Sequence, residues 1–242
     1  MLYLIGLGLW DEKDLSLKAL QILKKCEEIF VESYTSLWYG NLESLGIKAK
    51  KIGRGELEEG VGKILDLARE KEVAILVPGD PLVATTHSSI LTEAVKKGVK
   101  VEIVHNASIV SAVAEIGLHI YKFGKIASIS RHYSEYPYDV LKQNKSIEAH
   151  TLFLLDLEPE PMNAKDGLKR LLEIEERRKE GLVKKDGLCI VASKLGSRDR
   201  KIYFGKIEDM LKKNLEDVPA IIILPSALHF SEEEVLKAYS SS

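Results

Sequence analysis

Two loops of this 242-residue chain hold residue types and spacings that chemistry uses. The first is Gly6-Leu7-Gly8-Leu9-Trp10-Asp11, where two glycines stand at the point an apolar strand turns toward a helix. Glycine there lets backbone approach a ligand that a Cβ would exclude. The loop is half of a dinucleotide fingerprint. Asp11 occupies the place of the third glycine, and a carboxylate there repels a pyrophosphate set at the helix start. A tight strand-to-helix turn without any ligand also accounts for this segment.

The second loop is Pro78-Gly79-Asp80-Pro81-Leu82-Val83-Ala84-Thr85-Thr86-His87. It has no lysine, so it is not a P-loop. Two prolines flanking Gly-Asp stiffen the turn and hold the Asp80 carboxylate in place, ready to accept hydrogen bonds from the hydroxyls or amine of an uncharged or cationic ligand. Such a loop suits a sulfonium better than a phosphate. An Asx-turn explains Asp80 as well, and Thr85 or Thr86 can cap the following helix. His87 reads as a packed or capping histidine.

These loops need elements to position them. Leu2 to Ile5 reads as a buried strand, and apolar residues at Leu15, Ala19, Ile22 and Leu23 set a helix over Asp14 to Glu27. Strands are expected at Ile29 to Glu32, Val73 to Val77 and Lys100 to Val104, with helices at Val61 to Glu70 and Thr86 to Lys97, the latter ending at Gly98. Ser108 is a candidate N-cap for a helix through Glu115 that closes on Gly117. After a connector at Leu118 to Gly124, strands are expected near Lys125 to Ser130, Thr151 to Asp156, Leu188 to Ser193 and Ala220 to Leu224. Asn163 with Asp166 caps a helix through Arg178. Strands alternating with helices imply a mostly parallel sheet covered on both faces, with ligands beyond the carboxyl ends of its strands. The organisation expected is two α/β domains, residues 1–117 and 118–242.

Composition sets outer limits. Hydrophobic residues at 45% and charged residues at 30% are ordinary globular usage. A net charge of -2 gives no reason to expect nucleic acid as a partner. Apolar runs are strand-sized, far short of the ~18 residues a membrane span needs. The start has neither a basic n-region nor a small-residue cleavage site, so a cytosolic protein is expected. Cys26 and Cys189 are far apart and form no CxxC pair, so two buried thiols are expected and no metal site. The only low-complexity tract is Ser240 to Ser242.

Five segments together carry a family resemblance: GLGLWDEKDLS from Gly6, ESYTS from Glu32, PGDPLVATTH from Pro78, ASIVSA from Ala107 and GLHIYKFGK from Gly117. They resemble the diphthine synthases, within the tetrapyrrole-methylase-like S-adenosylmethionine enzymes. PGDPLVATTH and GLHIYKFGK separate this group from porphyrin and ribosomal RNA methylases that share only the general GDP loop. The stretch Arg131 to Glu148 and the helix after Asp156 match more loosely.

The resemblance implies a two-domain methyltransferase, a homodimer, with S-adenosylmethionine in the cleft between the domains. Carried over by position, cofactor contacts fall at Leu9, Asp80, Val83, Ser108 and Ile109, and in the second domain at Leu155, Leu195 and His229, where FLLDL, ASKLGS and LPSALHF fit the family's run. The implied acceptor is the amine of the 3-amino-3-carboxypropyl histidine of translation elongation factor 2. Transfer from a sulfonium needs alignment and exclusion of water more than a reactive side chain, so no catalytic residue is expected. Asp11, His87, His119 and His229 are polar neighbours, none assigned as a base. The rival readings are a tetrapyrrole or RNA methylase on the same scaffold, a non-catalytic cofactor-binding module, and an NAD-dependent oxidoreductase, which Asp11 disfavours.

Overall fold

A computed structural model describes residues 1–239. The Ser240 to Ser242 tract lies outside the described residues. The chain divides into two compact units, Met1–Ala112 and Val113–Ser242, each built on its own five-stranded sheet.

In the first unit the strands are β1 (Leu2–Gly6), β2 (Glu28–Glu32), β3 (Lys50–Ile52), β4 (Val73–Val77) and β5 (Val101–Val104). Their order is β3-β2-β4-β1-β5 and every pairing is parallel. All five residues of β4 are buried, as a central strand covered on both faces requires. Helices α1 (Leu17–Leu23), α2 (Arg54–Glu58), α3 (Val61–Glu70), α4 (Ser88–Lys97) and α5 (Ile109–Ala112) complete the unit. Helix α3 buries Val61, Ile64, Leu65 and Ala68, the single stripe that a 3.6-residue period predicts. Helix α4 ends on Gly98 in the left-handed region, the stop read from sequence. Helix α1 is shorter than expected. The Ser16 side chain caps it by accepting from Ala19 N, while Glu12–Asp14 form a separate 3-10 turn. The helix expected from Ser108 to Glu115 is also broken, into α5 and a 3-10 turn at Val113–Ile116 that ends before Gly117.

The second unit carries β6 (Ala127–Ile129), β7 (Thr151–Leu155), β8 (Leu188–Ser193), β9 (Lys201–Lys206) and β10 (Ala220–Leu224), ordered β6-β7-β10-β8-β9. Here the expectation of a mostly parallel sheet fails: only β6 and β7 pair in parallel, and the other three pairings are antiparallel. Helices α6 (Tyr136–Ser146), α7 (Ala164–Arg178), α8 (Ile207–Met210) and α9 (Phe230–Ala238) surround it. Asn163 caps α7 by accepting from Asp166 N at 2.9 Å. Gly167 lets α7 close on the sheet, because a Cβ there would stand 2.7 Å from Ile222 Cδ1 and 2.8 Å from Leu155 Cδ2. Cys189 is buried as expected, whereas Cys26 is only half-buried. No helix is long and apolar enough to cross a membrane among the described residues.

Candidate functional site: the crest of the first sheet

A parallel sheet delivers all its strand ends to one edge, and three adjacent loops meet there, following β1, β4 and β5. Backbone joins two of them. Gly8 N donates to Gly79 O at 3.2 Å, and Gly79 N donates to Gly8 O at 2.8 Å. Both residues have positive φ, 80° and 73°, which glycine adopts without cost. At Gly8 a Cβ would also run into the Asp14 side chain, and at Gly6 it would press on Gly79 O and Asn106. The glycines of the first loop therefore serve loop-to-loop packing.

Side chains join the third loop. Asn106 Nδ2 donates to Gly6 O and to Asp14 O, both at 3.0 Å. Asp80 accepts from Leu82 N at 3.0 Å through Oδ1, and through Oδ2 from His105 Nδ1 at 2.8 Å and Asn106 N at 3.1 Å. The residue is only 3% exposed. A buried carboxylate with three protein donors is satisfied, and it fixes the loops after β4 and β5 relative to each other. The Asx-turn is thus present, and two further bonds extend it. Sequence reading missed His105 and Asn106, whose one signal is their place directly after a strand.

His87 is a packed residue. Its Nδ1 lies 3.1 Å from the Pro81 carbonyl, which can only accept, so Nδ1 carries the hydrogen. Nε2, 3.1 Å from Tyr34 Oη, then accepts from the phenol in the neutral ring. Thr85 turns back to donate to Pro81 O and accepts from His87 N, so it braces the loop and does not cap α4. The N-cap of α4 is His87, without a side-chain bond.

Of the five first-domain positions named from sequence, Leu9, Asp80, Val83 and Ser108 fall on these loops and Ile109 opens the helix that follows the third. Leu9 is half-buried, and neither of its backbone groups is hydrogen-bonded among the described residues. Val83 N donates to Asp80 O at 3.3 Å. Ser108 is buried and directly precedes α5, whose first residue is Ile109. The Ser108 side chain makes no cap bond among the described residues; instead Ser111 Oγ reaches back, accepting from Ser108 N and donating to Ser108 O. Segments 6–11, 78–87 and 105–109 contain no lysine or arginine. A crest with free backbone groups at Leu9 and no fixed cation fits a ligand of hydroxyls, amines and a sulfonium, and does not fit a phosphate.

In the second unit Leu155 ends β7 and Leu195 follows β8, and the register puts both at one edge of the sheet: Leu154 faces Ile221, and Ser193 faces Ala220. His229 follows β10, which runs the other way, so it lies at the opposite edge, where Leu224 faces Thr151. Leu155 and Leu195 are buried, while His229 is exposed and is the N-cap of α9.

That edge holds a buried carboxylate which sequence reading did not single out. Glu232 is fully buried and accepts from His119 N at 2.8 Å, His229 N at 2.8 Å, Lys122 Nζ at 2.6 Å and His150 Nε2 at 3.2 Å. Burial pushes its pKa up, but these bonds outweigh burial and hold it down to about 2. His150 accepts from Ser226 N through Nδ1, so the hydrogen sits on Nε2 and the ring is neutral; burial lowers its pKa further. The GLHIYKFGK segment supplies His119 and Lys122 to this network, and its Gly117 leaves room for Val235 of α9. The segment is a clasp on α9. The sequence signal was the His229-to-Glu232 spacing of a capping box. Among the described residues no cluster of His, Cys, Asp or Glu is placed to hold a metal ion.

The model of the Tetrapyrrole (Corrin/Porphyrin) Methylases matches residues 1–211. The diphthine synthase of Methanocaldococcus jannaschii is 42% identical, over 98% of each chain. That of Archaeoglobus fulgidus is 39% identical, over 100% of this chain and 96% of its own. A crystal structure of diphthine synthase superposes with a TM-score of 0.93 at 38% identity, covering 99% of this chain and 96% of that one. The chain therefore belongs to the tetrapyrrole methylase family, a class of S-adenosylmethionine-dependent methyltransferases. Within that class the full-length relatives named above are diphthine synthases.

Proposed function

We propose that the chain methylates the amine of the 3-amino-3-carboxypropyl histidine on translation elongation factor 2, acting in the cytosol as a homodimer. Full-length similarity to diphthine synthases carries this reading. The crest agrees with it, being free of the cations a nucleotide phosphate would need.

S-adenosylmethionine, when bound, supplies a methyl group on a positively charged sulfur. The chain's part is to bind, orient and keep water out. Leu9 offers two open backbone groups, Asp80, Val83 and Ser108 stand on the loops that Asp80 and the Gly8–Gly79 bridge hold in place, and Ile109 opens α5 directly after them. In the second unit we assign contacts to Leu155 and Leu195 at one sheet edge and to His229 at the other, so single substitutions tell the two edges apart. Among the crest side chains Asp80 is committed to three donors and both His87 nitrogens are engaged, whereas His105, held by Asp80 through Nδ1, keeps Nε2 open on an exposed ring. With the cofactor in place, the acceptor amine would use its own lone pair on the methyl carbon as the carbon–sulfur bond breaks and a neutral thioether leaves, and the proton it sheds would pass to water.

Calorimetry tests the cofactor half of the reading. S-adenosylmethionine and its demethylated product should both bind, and NAD should not. Tight NAD binding without S-adenosylmethionine binding would overturn it. Light scattering should give about twice 27.0 kDa if the dimer is right.

A further inference from the structure

Across segments 6–11, 78–87 and 105–109 the crest carries four titratable side chains, Asp11, Asp80, His87 and His105. Asp11 caps its own 3-10 turn, accepting from Lys13 N at 2.9 Å, and its other oxygen faces the Lys13 ammonium at 3.8 Å. Asp80 serves three donors, and His87 uses both ring nitrogens. His105 differs from all three. Its Nδ1 lies 2.8 Å from Asp80 Oδ2, and its Nε2 has no partner among the described residues.

The carboxylate can only accept, so Nδ1 carries the hydrogen and the neutral ring keeps its lone pair on Nε2. The loop beneath the ring is pinned as well. Asn106 N donates to the same Asp80 Oδ2 at 3.1 Å, and Asn106 Nδ2 ties the loop to Gly6 O and Asp14 O, both at 3.0 Å. A buried carboxylate thus sets the tautomer and the direction of an imidazole whose side chain is 67% exposed.

Bracing alone does not account for such a residue. The bracing histidines of this protein are buried and use both nitrogens: His87 lies between Pro81 O and Tyr34 Oη, and His150 between Ser226 N and Glu232. Of the six histidines, His105 alone among the described residues pairs one nitrogen with a buried carboxylate and leaves the other open. An oriented imidazole backed by a carboxylate is the arrangement of a general base.

Methyl transfer to an amine has work for one. Near neutral pH an aliphatic amine is mostly its ammonium, whose nitrogen cannot attack until a proton leaves. We propose that His105 Nε2 takes that proton on its way to water. The inference rests on the acceptor reading proposed above. His105 is bonded to Asp80 and stands in the same loop as Ser108, two of the positions assigned to the cofactor. Nε2 accepts a proton from the acceptor ammonium, and the freed lone pair forms the carbon–nitrogen bond as the carbon–sulfur bond breaks and a neutral thioether leaves. The imidazolium, steadied by Asp80, then gives its proton to water at the exposed side of the ring. One proton is released for each methyl gained, so atoms and charge balance.

His105→Asn separates a base from a brace, because the asparagine amide N–H stands in for the Nδ1 donor to Asp80 and supplies nothing at Nε2. In single-turnover methylation of the modified elongation factor with saturating S-adenosylmethionine, its rate should fall by about a hundredfold or more. The S-adenosylmethionine Kd should stay within about twofold, and Tm should stay close to wild type. Added imidazole should restore part of the rate to His105→Ala. Wild-type speed in His105→Asn, a loss of rate matched by a loss of cofactor affinity, or a loss in His105→Ala that imidazole does not relieve would each overturn the base. If the wild-type chain methylates no factor, the acceptor reading falls by itself, and nitrogen NMR of the ring decides the inference. The His105→Asn spectrum identifies the His105 signals, Nε2 should resonate as an unprotonated ring nitrogen, and the demethylated cofactor should shift it. An Nε2–H tautomer or an unmoved signal would overturn the proposal.

Discussion

Gly8 and Gly79 exchange both backbone hydrogen bonds, at 3.2 and 2.8 Å, and so weld the loop after β1 to the loop after β4. Their side-chain space differs. Around Gly79 the nearest atoms to an added Cβ lie at 3.8 Å, but at Gly8 the Asp14 side chain occupies the space. Gly79→Ala therefore carries only the left-handed backbone cost of about 1–2 kcal/mol, and Gly8→Ala adds a collision to it. Urea denaturation should rank Gly8→Ala as clearly the more destabilising. Equal losses would mean the two loops are not joined this way.

Asp80→Ala should lower stability and cofactor affinity together, the latter by roughly 1–3 kcal/mol. The reason is that Leu82 N, His105 and Asn106 N lose their shared acceptor and the crest loosens. Denaturation beside calorimetry checks it. Reduced affinity at unchanged stability would show that the carboxylate binds ligand directly.

Acid should unfold the second unit through Glu232 and His150. A carboxyl held at about 2 when folded, against about 4.3 unfolded, stabilises above the unfolded value, and that stability is lost as pH falls toward 2. The shift corresponds to about 3 kcal/mol. His150 adds to the same trend, since its pKa is lowered on folding and stability begins to fall once pH drops below the ordinary histidine value near 6.5. Glu232→Gln should be less stable at pH 7 and should flatten the loss between about pH 4.5 and 2. A wild-type stability curve flat across that range would refute the network's strength.

Neither thiol should react at pH 8 in the native state. Burial pushes Cys26 up to about 11 and Cys189 to about 12, so the thiolate that reagents attack is scarce. A thiol-reactive dye should count two sulfhydryls in urea and close to none without it. Fast native labelling of Cys189 would contradict its burial.

Elements with strong local signals are legible in the amino-acid sequence alone. Val61–Glu70 and Val73–Val77 fall at the expected residues because a helical stripe and an all-apolar run are unambiguous. The edge strand Lys50–Ile52 is not legible, since two of its three residues are exposed lysines. Nor is the direction of β10 or β8: strand polarity is decided by tertiary pairing, and an apolar run such as Ala220–Leu224 reads the same either way. At the crest, sequence locates Leu9, Asp80 and Ser108 but cannot tell what Asp80 holds, because His105 and Asn106 approach it from 25 and 26 residues away. Glu232 escapes notice for the same reason, with partners more than 80 residues distant at His150, Lys122 and His119.

The central claim is the acceptor, and methyl transfer measures it directly. The purified chain is incubated with labelled S-adenosylmethionine and either an elongation factor 2 carrying the unmethylated 3-amino-3-carboxypropyl histidine or the same factor with plain histidine. Label should enter the first factor only, and the label should map to the modified histidine. Equal labelling of both factors, or transfer only to an RNA or a tetrapyrrole offered in their place, would contradict the account.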